Sequence, residues 1–156
     1  MILAYRMVRL IEKHSHGLVN ALQAKMAQCD RCGEYVHVPS EELAADVEDV
    51  YQHLGEWLLG KTESDIRSRY HRIGARRAEQ GVPLSQVLWA IALVKENLWE
   101  YLRHEGEQQV TEVFGELEIL QLLEQFFDRA MYFAAVGYEQ ASGGPARCKA
   151  VAVGTN

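Results

Sequence analysis

The stretch "LSQVLWAIALVKENLWEYL", residues 84–102, constrains the fold more than any other part of the chain. Leu84, Val87, Leu88, Ile91, Val94, Leu98 and Leu102 recur at spacings of three and four, which puts them on one side of an α-helix. Trp89 and Leu93 cover a second side, so this helix is apolar round most of its circumference. Such a helix stays in water only when other elements surround it, and the sequence predicts that it is the central, most buried one. It is not a membrane span. The longest nearly uncharged apolar run, "VPLSQVLWAIALV", has about 13 residues, and a span needs about 20.

The flanking segments supply the neighbours. Residues 2–27 carry Leu3, Met7, Leu10, Ile11, Leu18 and Leu22 at helical period, with His14 on the same stripe. Gly33 and Pro39 interrupt that pattern, and Ser40 is placed to cap a second helix reaching about Gly60. Its first turn holds Glu41 and Glu42, where the helix dipole favours acids. Thr62, three residues ahead of Asp65, predicts a capped third helix over 63–80 with Ile66, Tyr70 and Ile73 inside. Gly81 suits its C-terminus and Pro83 the first turn of the central helix. "HEGEQQ", 104–109, turns the chain into a last helix over about 108–140, burying Val113, Leu117, Leu120, Phe127, Met131 and Tyr138.

No segment alternates with a period of two. The expected fold is all-α: a single-domain bundle of about five helices over residues 1–140, with 141–156 a flexible C-terminal tail, since "ASGGPARCKAVAVGTN" has no period. Twenty-two acids against sixteen Lys and Arg give a net charge of −6, which argues against a nucleic-acid partner. Three cysteines do not make a disulfide framework, and Arg6 and Arg9 interrupt the N-terminus where a signal peptide would be apolar. A cytoplasmic location and no membrane association are expected.

"YHRIGARRAEQGVPLSQVLWAIALVKENLWEYL" (70–102), "FFDRAMYFAAVGYEQ" (126–140) and "HLGEWL" (53–58) resemble the N-terminal sensor-type helical domain of RsbR-type stress-signalling co-antagonists and related input domains of bacterial histidine kinases. The most specific parts are Gly74-x-x-Arg77-Ala78-x-x-Gly81-x-Pro83-Leu84 and Phe127-Asp128-x-Ala130…Gly137-Tyr138-Glu139. The resemblance covers roughly residues 5–140. It implies a bundle or globin-like fold, often dimeric, that serves input or protein interaction rather than catalysis.

Several residues are candidates for a site. Cys29-x-x-Cys32 with His37 offers three zinc-type ligands, with Cys148 or His16 as a fourth; the other readings are a reversible disulfide or loop cysteines of no dedicated role. His14 is the candidate haem ligand or else a hydrogen-bonded core residue. Tyr70, Trp89, Trp99, Phe126 and Phe133 are candidates to line an apolar pocket with His14 and Lys95. Lys95 either binds an anionic ligand or snorkels out, with Glu96, Glu124 or Asp128 as its acid. Phe126 and Phe133 form a second apolar flank of the last helix, which suggests a partner subunit. Arg67, Arg69, Arg72, Arg76 and Arg77 make the third helix basic; the two readings are a grip on an acidic partner or phosphate, and a solvated face paired with Glu63 or Glu79, of which the second is favoured. No catalytic motif is present. The expected function is a non-enzymatic sensor or protein-interaction module, acting as a homodimer on a signalling partner without a cofactor. The alternative is a haem- or zinc-binding sensor.

Overall fold

The computed structural model describes residues 2–107 and 113–143, and every regular element among them is helical. In order they are α1 (Ile2–Lys13), α2 (Ser15–Ala27), a 3-10 segment (Asp30–His37), α3 (Ser40–Gln52), a π turn (Glu56–Gly60), α4 (Glu63–Glu79), α5 (Leu84–Glu107) and α6 (Val113–Ala141). The all-α expectation holds. The described residues contain eight helical segments, however, and not about five. Among them no helix is long and apolar enough to cross a membrane. Cys148 and most of the expected tail lie outside the described residues, as does the end of the expected turn at 104–109, whose first residues continue α5 to Glu107.

Three local breaks raise the count. The expected first helix divides at His14, whose backbone (φ −104°, ψ 17°) leaves the helical range. The 28–39 link coils into 3-10 turns kinked at Cys32. The expected second helix ends at Gln52 and passes into the π turn, where the Lys61 amide donates to the Glu56 carbonyl. Ser40 begins α3 without capping it, and Pro39 occupies the cap position. At α4 the capping box is complete: the Asp65 amide donates to Thr62 Oγ1 (3.3 Å) and the Thr62 amide to Asp65 Oδ2 (2.9 Å).

α4 and α6 form the most extensive packing pair. A Cβ added at Gly74 would lie 1.9 Å from the Ala134 carbonyl oxygen, and one added at Gly137 would lie 2.0 Å from that of His71. The helices therefore touch backbone to backbone. The buried stripe of α6 follows from this crossing: Ile119, Leu123, Phe126, Phe127, Ala130, Ala134 and Gly137. That corrects the expected stripe, because Leu117 is 58 % exposed while Phe126, read as an outer flank, is 3 % exposed. The end of α4 is closed by Gly81 (φ +77°), with the Val82 amide donating to the Arg77 carbonyl. The Tyr138 hydroxyl donates to the Val82 carbonyl (2.7 Å), which fastens α6 to that turn.

α5 buries Val87, Ala90, Ile91, Val94, Leu98 and Leu102, with Trp89 and Leu93 half-buried on its flank. Asn97 sits among them at 2 % exposure. Its Nδ2 donates to the Leu18 carbonyl (2.8 Å) and to the Tyr51 hydroxyl (3.2 Å), which itself donates to the Val94 carbonyl (2.8 Å). Lys25 Nζ donates to Asn97 Oδ1 (2.7 Å), so this buried amide joins α2, α3 and α5 with its hydrogen bonds satisfied.

The crossing predicts a contrast between two glycines. Gly74→Ala puts a methyl group into backbone and is expected to cost about 3 kcal/mol or more. Gly17→Ala, on an exposed part of α2 with nothing within 4 Å of the added Cβ, is expected to stabilise by about 0.5–1 kcal/mol. Urea unfolding midpoints at constant m-value check both, and equal midpoints for the two variants would remove the crossing as the determinant of packing.

Candidate functional site

α3 and α4 face each other with charges of opposite sign. Glu42, Asp46 and Asp49 lie along one side of α3, and Arg69, Arg76 and Arg77 along the facing side of α4. Arg77, at 2 % exposure, donates from Nη2 to Asp46 Oδ2 (2.9 Å) and from Nη1 to Glu42 Oε1 (3.1 Å) and Gln80 Oε1 (3.0 Å). Arg69 donates from Nη1 to Asp49 Oδ2 (2.6 Å) and from Nη2 to the Asp46 carbonyl. Arg76 Nε reaches Glu42 Oε1 (3.1 Å), and Gln80 Nε2 donates to Glu42 Oε2 (3.0 Å). The hydrogen bond from Arg76, helped by the charges of Arg77 and Arg76, holds the Glu42 carboxyl below its usual 4.5 although burial opposes this.

The row of charges borders a cavity of about 50 Å³ where α3, α4, α5 and α6 meet. Its polar wall is Arg69, Arg77, Asp46, Tyr35 and Tyr70; Phe127, Leu43, Ala90, valines and isoleucines complete it. Arg69 Nε and Arg77 Nε are buried N–H donors with no acceptor among the described residues. A space of this size holds a few waters or a molecule of a few heavy atoms. Burial pushes the Tyr35 and Tyr70 hydroxyls up to about 12, against the opposing charges of Arg77 and Arg69 respectively, so both stay protonated at neutral pH. The site thus offers hydrogen-bond donors in an apolar setting.

The residues expected to form one pocket lie in several places. Tyr70 lines the cavity, and Phe126 packs edge-on against it at 5.8 Å and against Phe127 at 5.1 Å, with Trp57 at 6.0 Å. Lys95 and Trp99 share Glu124, at 3.1 Å and 3.2 Å to its two oxygens, on the α5–α6 flank. Trp89 lies under the Arg31 guanidinium (4.4 Å), and its buried Nε1 has no acceptor among the described residues. Phe133 stacks edge-on with exposed Tyr132 at 5.3 Å. His14 is exposed at the α1–α2 break, not on the apolar stripe; its Nδ1 lies 2.9 Å from the Leu10 carbonyl oxygen and 3.1 Å from the Tyr101 hydroxyl. The helix break rotates its side chain off the stripe that a continuous helix would give it.

Cys29 is half-buried and Cys32 buried, both as free thiols. Burial, with Cys29 adding to it, pushes the Cys32 thiol up to about 12, and a protonated thiol is a poor ligand and nucleophile. His37 is exposed and its Nε2 lies 3.1 Å from Glu34 Oε2. His16 is exposed and faces Glu48 at 3.2 Å. Among the described residues no three His, Cys, Asp or Glu side chains converge on a metal-sized centre.

The reading of α4 as a solvated basic face is corrected at Arg77, whose acids are Glu42 and Asp46 and not Glu63 or Glu79. The signal was in the spacing: Ile66, Tyr70, Gly74 and Arg77 follow one another at four, four and three, so Arg77 continues the buried stripe.

Removing Arg77 leaves the half-buried Asp46 carboxylate without its cation and takes from Glu42 one of its three donors. Arg77→Met is expected to cost about 3 kcal/mol, and adding Glu42→Gln and Asp46→Asn should recover part of that loss in a mutant cycle. Additive losses would show that the pair carries no coupling. Because the folded value of Glu42 is depressed, its contribution is present above 4.5 and is lost as pH falls below that. Glu42→Gln is therefore expected to lower stability at neutral pH, with the difference from the parent shrinking as the pH falls below 4.5. A constant difference through that fall in thermal melts would contradict the assignment.

Residues 17–147 match the family model described as the RsbT co-antagonist protein rsbRD N-terminal domain. No curated protein and no solved structure gave a significant match. The matched span includes the α4–α6 crossing, the buried Arg77 and the cavity. The chain belongs to the RsbT co-antagonist rsbRD N-terminal domain family, a family of stress-signalling domains.

Proposed function

We propose that the chain is a non-enzymatic signalling domain, a sensor or protein-interaction module whose output is a change in helix packing. The observation that supports this is the cavity at the meeting of α3, α4, α5 and α6, bordered by Arg69 and Arg77 with their unaccepted Nε donors. An occupant that engages those donors bears on the same guanidiniums that join α3 to α4. Binding there biases one helix against another, which is how a ligand shifts a conformational population. The wall favours binding over chemistry: its arginines are permanently charged, its tyrosines stay protonated, and Asp46 is already paired.

In this reading the working form is a homodimer that acts on a signalling protein. Exposed Tyr5 (52 %) on α1 and Leu117 (58 %) on α6, two helices that pack together, support self-association as apolar side chains left open to a partner. Light scattering on the eluting protein is expected to give twice the 17.7 kDa chain mass, and Tyr5→Glu with Leu117→Glu to give the monomer. A monomer at the highest soluble concentration, together with no protein co-purifying from the native host, would overturn the reading.

A further inference from the structure

A groove of about 580 Å³ runs along the outside of the α4–α6 crossing and shares no residue with the cavity wall. α4 lines it with Arg67, His71 and Arg72, and α6 with Tyr132, Phe133 and Val136. Tyr132 is 65 % exposed and meets Phe133 edge-on, so an aromatic ledge lies open to solvent. His71 Nε2 and Gln140 Oε1, 2.7 Å apart, join the two walls.

The charges make this surface unusual. Arg69, Arg76 and Arg77 on the same helix each hold at least one carboxylate. Among the described residues Arg67 and Arg72 have none within 4.0 Å, and no carboxylate lines the groove. On a chain of net charge −6, two unpaired guanidiniums beside an exposed aromatic ledge are complementary to carboxylates attached to an apolar segment.

We infer that the groove docks an acidic segment of a partner protein, with carboxylates on Arg67 and Arg72 and an apolar side chain on Tyr132, Phe133 and Val136. Two cations are too few to hold a nucleic-acid backbone against the acidic remainder of the surface. The inference rests on the proposed role only in that the domain has a protein partner. It uses neither the cavity nor the α1–α6 face.

The test is a titration of the isotope-labelled protein with a synthetic peptide of Glu and Phe residues, followed by amide chemical shifts. Shifts are expected to concentrate on 67–72 and 132–140, and binding to weaken with added salt. Arg67→Glu with Arg72→Glu is expected to weaken binding about tenfold or more, with an unchanged melting temperature because both side chains are exposed. Tyr132→Ala is expected to weaken it by a smaller factor. The inference is overturned by an absence of shifts, by equal binding of the peptide with Lys in place of Glu, or by tighter binding of a DNA duplex. It is also overturned if the charge-reversed variant converts a dimer to monomer, since the occupant would then be a second copy. Failure of the parent chain to dimerise leaves this result untouched, so the two readings fail separately.

Discussion

The backbone contact between α4 and α6 sets the positions of everything else of interest. Gly74 against Ala134 and Gly137 against His71 leave no room for a side chain between the helices. Residues on the two sides of that line on α4 are therefore directed to different neighbours: Arg69, Tyr70 and Arg77 towards α3 and the cavity, Arg67, His71 and Arg72 towards the outer groove. The family-like motif can be read physically from the same contact. Gly74 and Gly137 permit the crossing, Arg77 ties α4 to α3, Gly81 supplies the positive φ that ends α4, and Tyr138 fastens α6 to Val82. Positions that look unrelated in sequence serve one joint.

The arginine–carboxylate row is best understood as a device for specificity. Three guanidiniums and three carboxylates balance in charge, but taking Arg77 to 2 % exposure carries a desolvation cost that the ion pairs largely offset and rarely exceed. An apolar residue of similar size with an apolar partner would pack α3 on α4 as well. What the charges add is register: Glu42 accepts from Arg76, Arg77 and Gln80 at once, and sliding α3 by one turn would separate the whole set.

Helical periodicity made the class of fold legible and placed most of α5 correctly, because large aliphatic side chains line a well-buried helix. It failed where burial is achieved otherwise. The α6 stripe was misphased since Ala130, Ala134 and Gly137, the residues that a close crossing requires, score low on any count of large apolar groups. Arg77 and Asn97 were missed as core residues for the same reason: their burial depends on partners from other helices, Glu42, Asp46, Tyr51 and Leu18, that no local window contains. The break at His14 and the π turn after Gly55 are single-residue departures with no periodic signature. Of the residues expected to form one pocket only Tyr70 borders the cavity, because spacing along a helix gives a face but not what that face meets.

The two interfaces of α4 differ in how they resist movement, and this bears on the proposed signalling role. Displacing α4 against α6 brings backbone atoms into collision at Gly74 and Gly137, so the pair behaves as a rigid unit. Displacing α3 against α4 exchanges hydrogen bonds among donors and acceptors that have several alternatives, with Asp49 and Glu42 partly exposed to water at 42 % and 26 %. The softer joint is thus the one that borders the cavity. An occupant of the cavity would act on α3 and α5, while a segment bound in the outer groove would hold the rigid α4–α6 pair. Input at the soft joint and attachment at the stiff one is a workable division for a domain that has to move one part while a partner keeps hold of another.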